Sequence, residues 1–499
     1  MLIDFINYSA YQYKRGITFR YKRGVLTAIV IYLIILVGLA LWSRREAKTM
    51  SGYFIAGKKL PPWVVAFSTN ATGESGWLLL GLTGMGYAAG AQAFWVVAGE
   101  VIGISLAWLL MSRRLKKLSD ESDAITVPDV LTARFTDRLH ILRGISALII
   151  ILMVGAYVAA QMVATGKAIG SFTGMDYHWA VVAGAVVIIA YTLVGGYKAV
   201  AWTDLVQGVL MLLGLIVLPL VAIEAAGGWG AVTASLHSQN PDLLGPWGPD
   251  GKSTAALVAI ASFLAIGLPF LGVPQLMVRF MSARSVESLK PAMTISIVVI
   301  ALFGIGAVLT GMAGRALFPD LADPETVLPM ISNEYLPPFL AGVMMVVVMA
   351  AIMSTVDSLL ILASSAVVRD VMQKIRGSVL SDGQLTIRGK WLTLVIGLIG
   401  VVFALQQTPL SFWFVLFAWS GLGAAFGPVL ICALWYKPTN IYGAIVGMLG
   451  GFLSTMLWVL FFKERYYDLL EVVPGFIVGL LLTISVSHFT HRKSDQNLH

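Results

Sequence analysis

The chain has 499 residues, 58% hydrophobic and only 12% charged, with 34 basic against 26 acidic side chains and a formal net charge of +8. Soluble proteins carry roughly 25% charged residues, so this chain cannot cover a water-soluble body of its size and reads as a polytopic membrane protein. The basic excess belongs to loops at an anionic membrane surface, not to nucleic acid. A single cysteine, Cys432, and six histidines without ligand spacing exclude disulfide frameworks and zinc, haem or iron–sulfur sites.

A spanning helix needs about 20 apolar residues. Charge-poor runs of that length fall at 25–43, 62–86 and 91–111, the last two holding Glu74 and Glu100. They continue at 144–166, 177–197, 205–223, 253–278 and 291–314, then at 336–368, broken only by Asp357. The uncharged run 391–436 holds two spans divided at Gln406-Gln407-Thr408-Pro409, and 442–462 and 472–487 complete thirteen. These runs are too long and too uniformly apolar for barrel strands, so only helices remain. No cleavable signal is expected before Val25. Thirteen spans put the termini on opposite sides; a cytoplasmic C-terminus places 24 of the 34 Lys and Arg inside, against an N-terminal basic cluster that argues locally for the reverse.

No loop holds a soluble domain, so function lies within the bundle. In the second span, Ser68, Thr69, Asn70, Thr72, Gly73, Glu74, Ser75 and Gly76 fall together. An unpaired Glu there costs at least ~2.5 kcal/mol on insertion scales, and a broken helix exposing carbonyls to an ion gives both polarity and glycine a task. In the ninth span, Ser354, Asp357 and Ser358 share one side of a helix, and their oxygens suit a hard monovalent cation. Helix packing, with hydroxyls bonded to their own helix, is the plainer alternative for either cluster alone. The seventh span carries Pro269 and Pro274, which kink it. Interrupted second and seventh spans suggest inverted five-helix repeats facing each other. The eleventh span, from Gly421 through Gly423 and Gly427 to Pro428, reads as close packing. Asp204, after Thr203, reads as a helix cap or gate residue; Asp357, Ser358 and Asp204 are the candidates for coupling or a second ion. Glu100 faces the bundle or a headgroup, and Tyr21, Tyr466 and Tyr467 are interface anchors. Nucleotide-binding glycine patterns are absent.

Together, Ser75-Gly76-Trp77-Leu78-Leu79, Gly195-Gly196-Tyr197, Trp202-Thr203-Asp204, Met353-Ser354-Thr355, Ser420-Gly421, Gly423 to Pro428 and Pro474-Gly475-Phe476 carry a resemblance. Over roughly 25–487 the chain resembles the sodium:solute symporter family, most closely its bacterial sodium/proline branch. The resemblance implies an all-α integral membrane protein of thirteen transmembrane helices with a five-plus-five inverted-repeat core. It further implies sodium binding by the carbonyls of Ala71 and Glu74 with Ala351, Ser354 and Thr355, and solute binding at Ser75, Trp77, Tyr157 and Pro274. The branch has an aspartate at Gly73, a methionine at Glu74, and a tryptophan and tyrosine at Ile266 and Phe270. Glu74 is then a displaced coupling charge, a packing residue or a proton carrier, and Asp357 is the other source of charge. A site walled by Ile266 and Phe270 is more apolar and should bind proline weakly.

The layout expected is an N-terminal extension (1–24), an extra helix (25–43), repeats at 62–226 and 253–434, two further helices (441–490) and a cytoplasmic tail (491–499). The function expected is sodium-coupled symport of proline or a related zwitterionic amino acid across the bacterial inner membrane, with the N-terminus outside. Betaine, carboxylate and sugar are alternative solutes; a passive channel, a sensor and a membrane enzyme are alternatives of other classes. Sodium is the expected coupling ion, with no organic cofactor, no nucleic acid partner, the lipid bilayer as surroundings, and a monomer as the working unit.

Overall fold

The computed structural model describes residues 2–44, 46–406 and 412–496. Among them every regular element is helical, apart from one isolated bridge between Leu60 and Ala283. Apolar surroundings leave backbone groups no partner but their own chain, and a helix satisfies them locally. In chain order the main helices are α1 (Leu2–Ser43), α2 (Pro62–Gly76), α3 (Phe94–Leu106), α4 (Val127–Phe135), α5 (Ile141–Thr173), α6 (Tyr177–Ala225) and α7 (Thr254–Ala265). They continue with α8 (Pro274–Ser282), α9 (Leu289–Leu317), α10 (Pro338–Ser365), α11 (Asp382–Leu405), α12 (Phe412–Trp435), α13 (Ile441–Leu457) and α14 (Val472–Gln496).

Eleven stretches of the described residues are long and apolar enough to cross a bilayer. Two are long enough for two crossings at about 20 residues each: Pro62–Glu121 with 60 residues and Tyr177–Ala225 with 49. Each is interrupted, the first at Ser75 and at Gly90 (φ 60°, ψ −134°), the second at Gly196 (φ 60°, ψ −164°). The segment expected as an extension before residue 25 is, from Leu2, part of α1; no proline interrupts its mix of helix-forming residues. The turn expected at Gln406–Pro409 lies, beyond Gln406, outside the described residues.

At the centre, α10 packs against α1, α2, α5 and α6, and its residues from Met344 to Ser365 are all buried. The seventh span breaks between α7 and α8, where a short 3-10 turn, Leu268–Leu271, is followed by Pro274 at the start of α8. Backbone-to-backbone contact holds that break: Gly267 lies on Gly99 and Gly272 on Gly427, while Pro269 seats against Gly423 of α12. Gly423 and Gly427 of the eleventh span therefore serve close approach to the seventh-span break, whereas Gly421 faces Met153 of α5.

Three basic residues counted with the loops are buried instead: Lys116, Arg143 and Arg279. Arg143 reaches Asp129 Oδ1 at 2.7 Å and Asp370 Oδ1 at 2.6 Å, and Arg369 Nε reaches Asp129 Oδ2 at 2.9 Å. Burial opposes ionisation of Asp129, but Arg369 and Arg143 outweigh it and hold this carboxyl below its ordinary range. These charges lock α4, α5 and the helical segment that continues α10 (Ala366–Ile375) together; they were legible only as a loop cluster because their partners are distant in sequence.

A Cβ at position 272 would overlap the backbone of Gly427. Overpacking costs about 1–3 kcal/mol, so Gly272→Ala should lower the midpoint of thermal unfolding in detergent. Gly383→Ala, at a position with open space around it, should leave the midpoint unchanged or slightly higher; equal effects at the two positions would contradict the contact argument.

Candidate functional site

The break in α2 is set by Ser75, at φ 55° and ψ −167°. That region is essentially reserved for glycine and costs a side-chain-bearing residue about 1–3 kcal/mol. The groups around it are met by side chains: Trp77 N–H donates to Ser75 Oγ at 3.1 Å, and Gly76 N–H to Gln161 Oε1 of α5 at 3.3 Å. The Tyr157 side chain, also from α5, lies beside that of Ser75.

One turn earlier, α2 and α10 bring a set of oxygens together. Ser354 Oγ donates to the Ala71 carbonyl at 2.9 Å and to the Ala351 carbonyl at 3.0 Å. Thr355 Oγ1 lies 3.1 Å from the Thr72 carbonyl and 3.4 Å from that of Ala351. Of the five residues expected to hold sodium, Ala71, Ala351, Ser354 and Thr355 are thus assembled. Glu74 is not joined to them: its carbonyl accepts from Trp77 N–H, and neither carboxylate oxygen has a hydrogen-bond partner among the described residues. Neutral hydroxyl and carbonyl dipoles in this number suit a monovalent hard cation.

Directly beside these oxygens is a buried charge network that sequence reasoning missed. Arg279 of α8 pairs with Asp204 at 3.1 Å, donates to Ser68 Oγ at 3.1 Å and Thr72 Oγ1 at 2.6 Å, and contacts Ser358 Oγ. Asp204 also accepts from Ser68 at 2.6 Å. The helix-cap reading of Asp204 is therefore corrected: it lies inside α6, well past the Gly196 kink, and its carboxylate faces a guanidinium. Arg279 had looked like the first charge of a loop; a lone acid in the sixth span was the available hint of a buried base. Ser358 Oγ also donates to the Ser354 carbonyl at 2.8 Å, while Asp357 points to the flank and accepts from Tyr191 of α6. Ser354 and Ser358 thus reach α2 or Arg279, whereas Asp357 faces α6.

Beyond the break, Trp77, Tyr157, Ile266 and Phe270 line one small cavity of about 10 Å³ together with Glu100 and Trp419. A second cavity of about 200 Å³ shares Trp77 and Ile266 and extends to Tyr467 and Asp468. Pro274 begins α8 and is buried away from both linings, and Ser75 serves the break itself. Trp419 of α12 was not anticipated: it donates Nε1–H to the Ile266 carbonyl at 3.1 Å and meets Phe270 edge-on with centroids 5.1 Å apart. It supplies an indole wall beside Ile266. Tyr467, expected as an interface anchor, lines the wider cavity.

The sodium:solute symporter family's sequence model matches residues 53–451. The chain belongs to this family. It is 35% identical over 457 residues to the high-affinity proline transporter PutP of Bacillus subtilis (strain 168), covering 90% of this chain and 95% of that one. It is 32% identical to the osmoregulated proline transporter OpuE of the same organism, over 94% of this chain and 96% of that one. The sodium/proline symporter of Staphylococcus aureus is also 32% identical, over 93% and 92%. Among solved structures, a Na+-coupled sialic acid symporter in a substrate-bound outward-open state superposes with a TM-score of 0.78 at 20% identity, covering 93% of this chain and 98% of that one. Mhp1, a nucleobase-cation-symport-1 family transporter, gives 0.54 at 15% identity, over 89% and 95%. The chain is thus a multi-pass membrane symporter that couples sodium to a small organic solute; its family and relatives are transporters, not enzymes.

Two outcomes follow from the geometry. Thr355→Ala removes one oxygen of the cluster and should raise the sodium concentration for half-maximal uptake about tenfold or more, with little change in thermal stability; unaltered sodium dependence in the Ser354→Ala/Thr355→Ala double variant would place the ion elsewhere. Ser75→Gly relieves the backbone strain, whereas Ser75→Ala keeps it, so the glycine variant should unfold at a higher temperature than the alanine variant, by about 1 kcal/mol of stability.

Proposed function

We propose that the chain imports proline or a related small zwitterionic amino acid with sodium by alternating access. Sodium binds at Ala71, Ala351, Ser354 and Thr355; Asp357, Ser358 and Asp204 tune coupling; and the solute lies against Trp77, Tyr157, Ile266 and Phe270. The observation that carries this reading is the juxtaposition of the α2–α10 oxygen cluster with a cavity opening at the same helix break. The names of the curated relatives support an amino-acid solute.

The architecture proposed is thirteen crossings, with inverted repeats at 62–226 and 253–434 behind an extra helix at 25–43 and ahead of two helices at 441–490. The two overlong apolar stretches supply two crossings each. With the C-terminus cytoplasmic and the N-terminus outside, the α13–α14 connection is external, so the 200 Å³ cavity beside Tyr467 and Asp468 is the entrance. The working unit is a monomer without an organic cofactor.

Sodium-driven accumulation of labelled proline in proteoliposomes tests the reading. Because Ile266 and Phe270 offer no polar contact, and lost polar contacts cost discrimination, bulkier or more apolar amino acids should compete better than proline itself. Proline that outcompetes every other amino acid would overturn this specificity. A reporter fused after His499 should be cytoplasmic and one inserted between residues 227 and 251 external; finding both on one side would refute the thirteen-span layout.

A further inference from the structure

Two carboxyl groups at the α2 break have no use in the network described above. Glu74 is buried, and neither of its carboxylate oxygens has a hydrogen-bond partner among the described residues. Glu100 of α3 is buried as well. One oxygen meets Trp77 Nε1–H at 3.4 Å, and the other has no partner. Glu74 follows directly on Gly73, which lines the same cavity as Glu100. Arg279 does not serve them, since its hydrogen bonds go to Asp204, Ser68, Thr72, Ser358 and the Gln275 carbonyl. Neither lysine nor arginine is among the residues lining the cavity that Glu100 faces.

The walls of that cavity give the pair its chemistry. Trp77, Tyr157, Phe270 and Trp419 surround Glu100 there, and aromatic faces attract a cation that has carbon around it. A sodium ion would need oxygens on most sides, and those are gathered at Ala71, Ala351, Ser354 and Thr355. A transferable proton needs a carboxyl but no aromatic enclosure. We infer that Glu100, backed by Glu74, receives the ammonium group of the transported solute inside this aromatic enclosure, and that this positive charge is what the site recognises. The inference rests on the symport reading and deepens it by naming the substrate class: small organic ammonium ions, for which a carboxylate on the solute is dispensable.

The test uses the full-length protein in lipid nanodiscs with sodium chloride at neutral pH, and isothermal titration with four ligands of one ring size. These are pyrrolidine, L-proline methyl ester, L-proline, and tetrahydrofuran-2-carboxylate, in which a ring oxygen replaces the ammonium. The two amines without a free carboxylate should bind at least as tightly as proline, and the oxygen analogue about 30-fold more weakly or worse, as the loss of a charged hydrogen bond implies. Glu100→Gln should weaken every amine by about 30-fold and narrow its advantage over the oxygen analogue, with Glu100→Asp restoring part. Glu74→Gln, at a residue outside the cavity lining, should weaken them less. The wild-type series decides the matter alone if a variant does not fold.

An oxygen analogue that binds within about threefold of proline, or no binding by any amine, overturns the inference. So does a Glu100→Gln variant that changes only the pH dependence of transport, which would make the pair a proton carrier. The symport reading fails separately: sodium-driven uptake of the oxygen analogue would leave it standing without the ammonium site, whereas amine binding indifferent to sodium would keep the ammonium site and remove the coupling.

Discussion

Inside a bilayer every backbone N–H and C=O must find a partner within the protein, and each failure costs several kcal/mol. A helix can therefore be broken only where neighbouring helices bring polar groups or close backbone contact to the break. The interruptions at Ser75 and in the seventh span obey that constraint by different means. At Ser75, Gln161 and Tyr157 reach across from α5. At Leu268–Leu271, Trp419 takes the Ile266 carbonyl and glycines of α3 and α12 press directly on the backbone. Once broken, each helix offers oxygens and space that an intact helix would hide, and the oxygen cluster and the cavities arise at those points.

The Arg279–Asp204 pair belongs to the same construction. A buried ion pair is a weak source of stability, because desolvation offsets much of its attraction. It does, however, demand a particular geometry from four helices. Thr72 shows why this matters: its carbonyl faces Thr355 in the oxygen cluster, while its hydroxyl accepts from Arg279. Ser358 repeats the pattern from α10, donating to the Ser354 carbonyl and touching Arg279. Separating α2 from α10 far enough to release a cation would also strip Arg279 of hydrogen-bond partners. With the ion at the proposed site, its occupancy and the position of α8 would be mechanically joined, as a transporter that alternates access requires.

Much of this was legible in the sequence where one residue type carries a strong local signal. Charge-free runs marked the helices, the hydroxyl-rich and glycine-rich patch from Ser68 to Gly76 marked one break, and Pro269 with Pro274 marked the other. What escaped depends on partners far apart in the chain. Arg279 sits at the end of an apolar run, so composition assigned it to a loop. Asp204 follows a threonine, so local pattern made it a cap although α6 continues through it. Trp419 is one aromatic residue in an apolar run and carries no mark of its place beside Ile266. Ser75 is strained, yet serine as a residue type gives no warning of a glycine-like backbone.

The remaining issue is how two cations bind near one another in a medium of low dielectric, where like charges repel strongly. The fixed charges resolve it. Arg279 is matched by Asp204, which leaves Glu74, Glu100 and Asp357 as buried acids without a cationic side chain hydrogen-bonded to them. A sodium ion at the proposed α2–α10 site and an ammonium at Glu100 would each stand near these buried acids, and a bound cation favours the ionised form of a carboxyl. To the extent that this shared attraction exceeds their mutual repulsion, binding of either cation favours the other, and linkage makes the effect equal in both directions. Cooperativity between ion and solute then needs no direct contact between them; it follows from acids within the field of both cations.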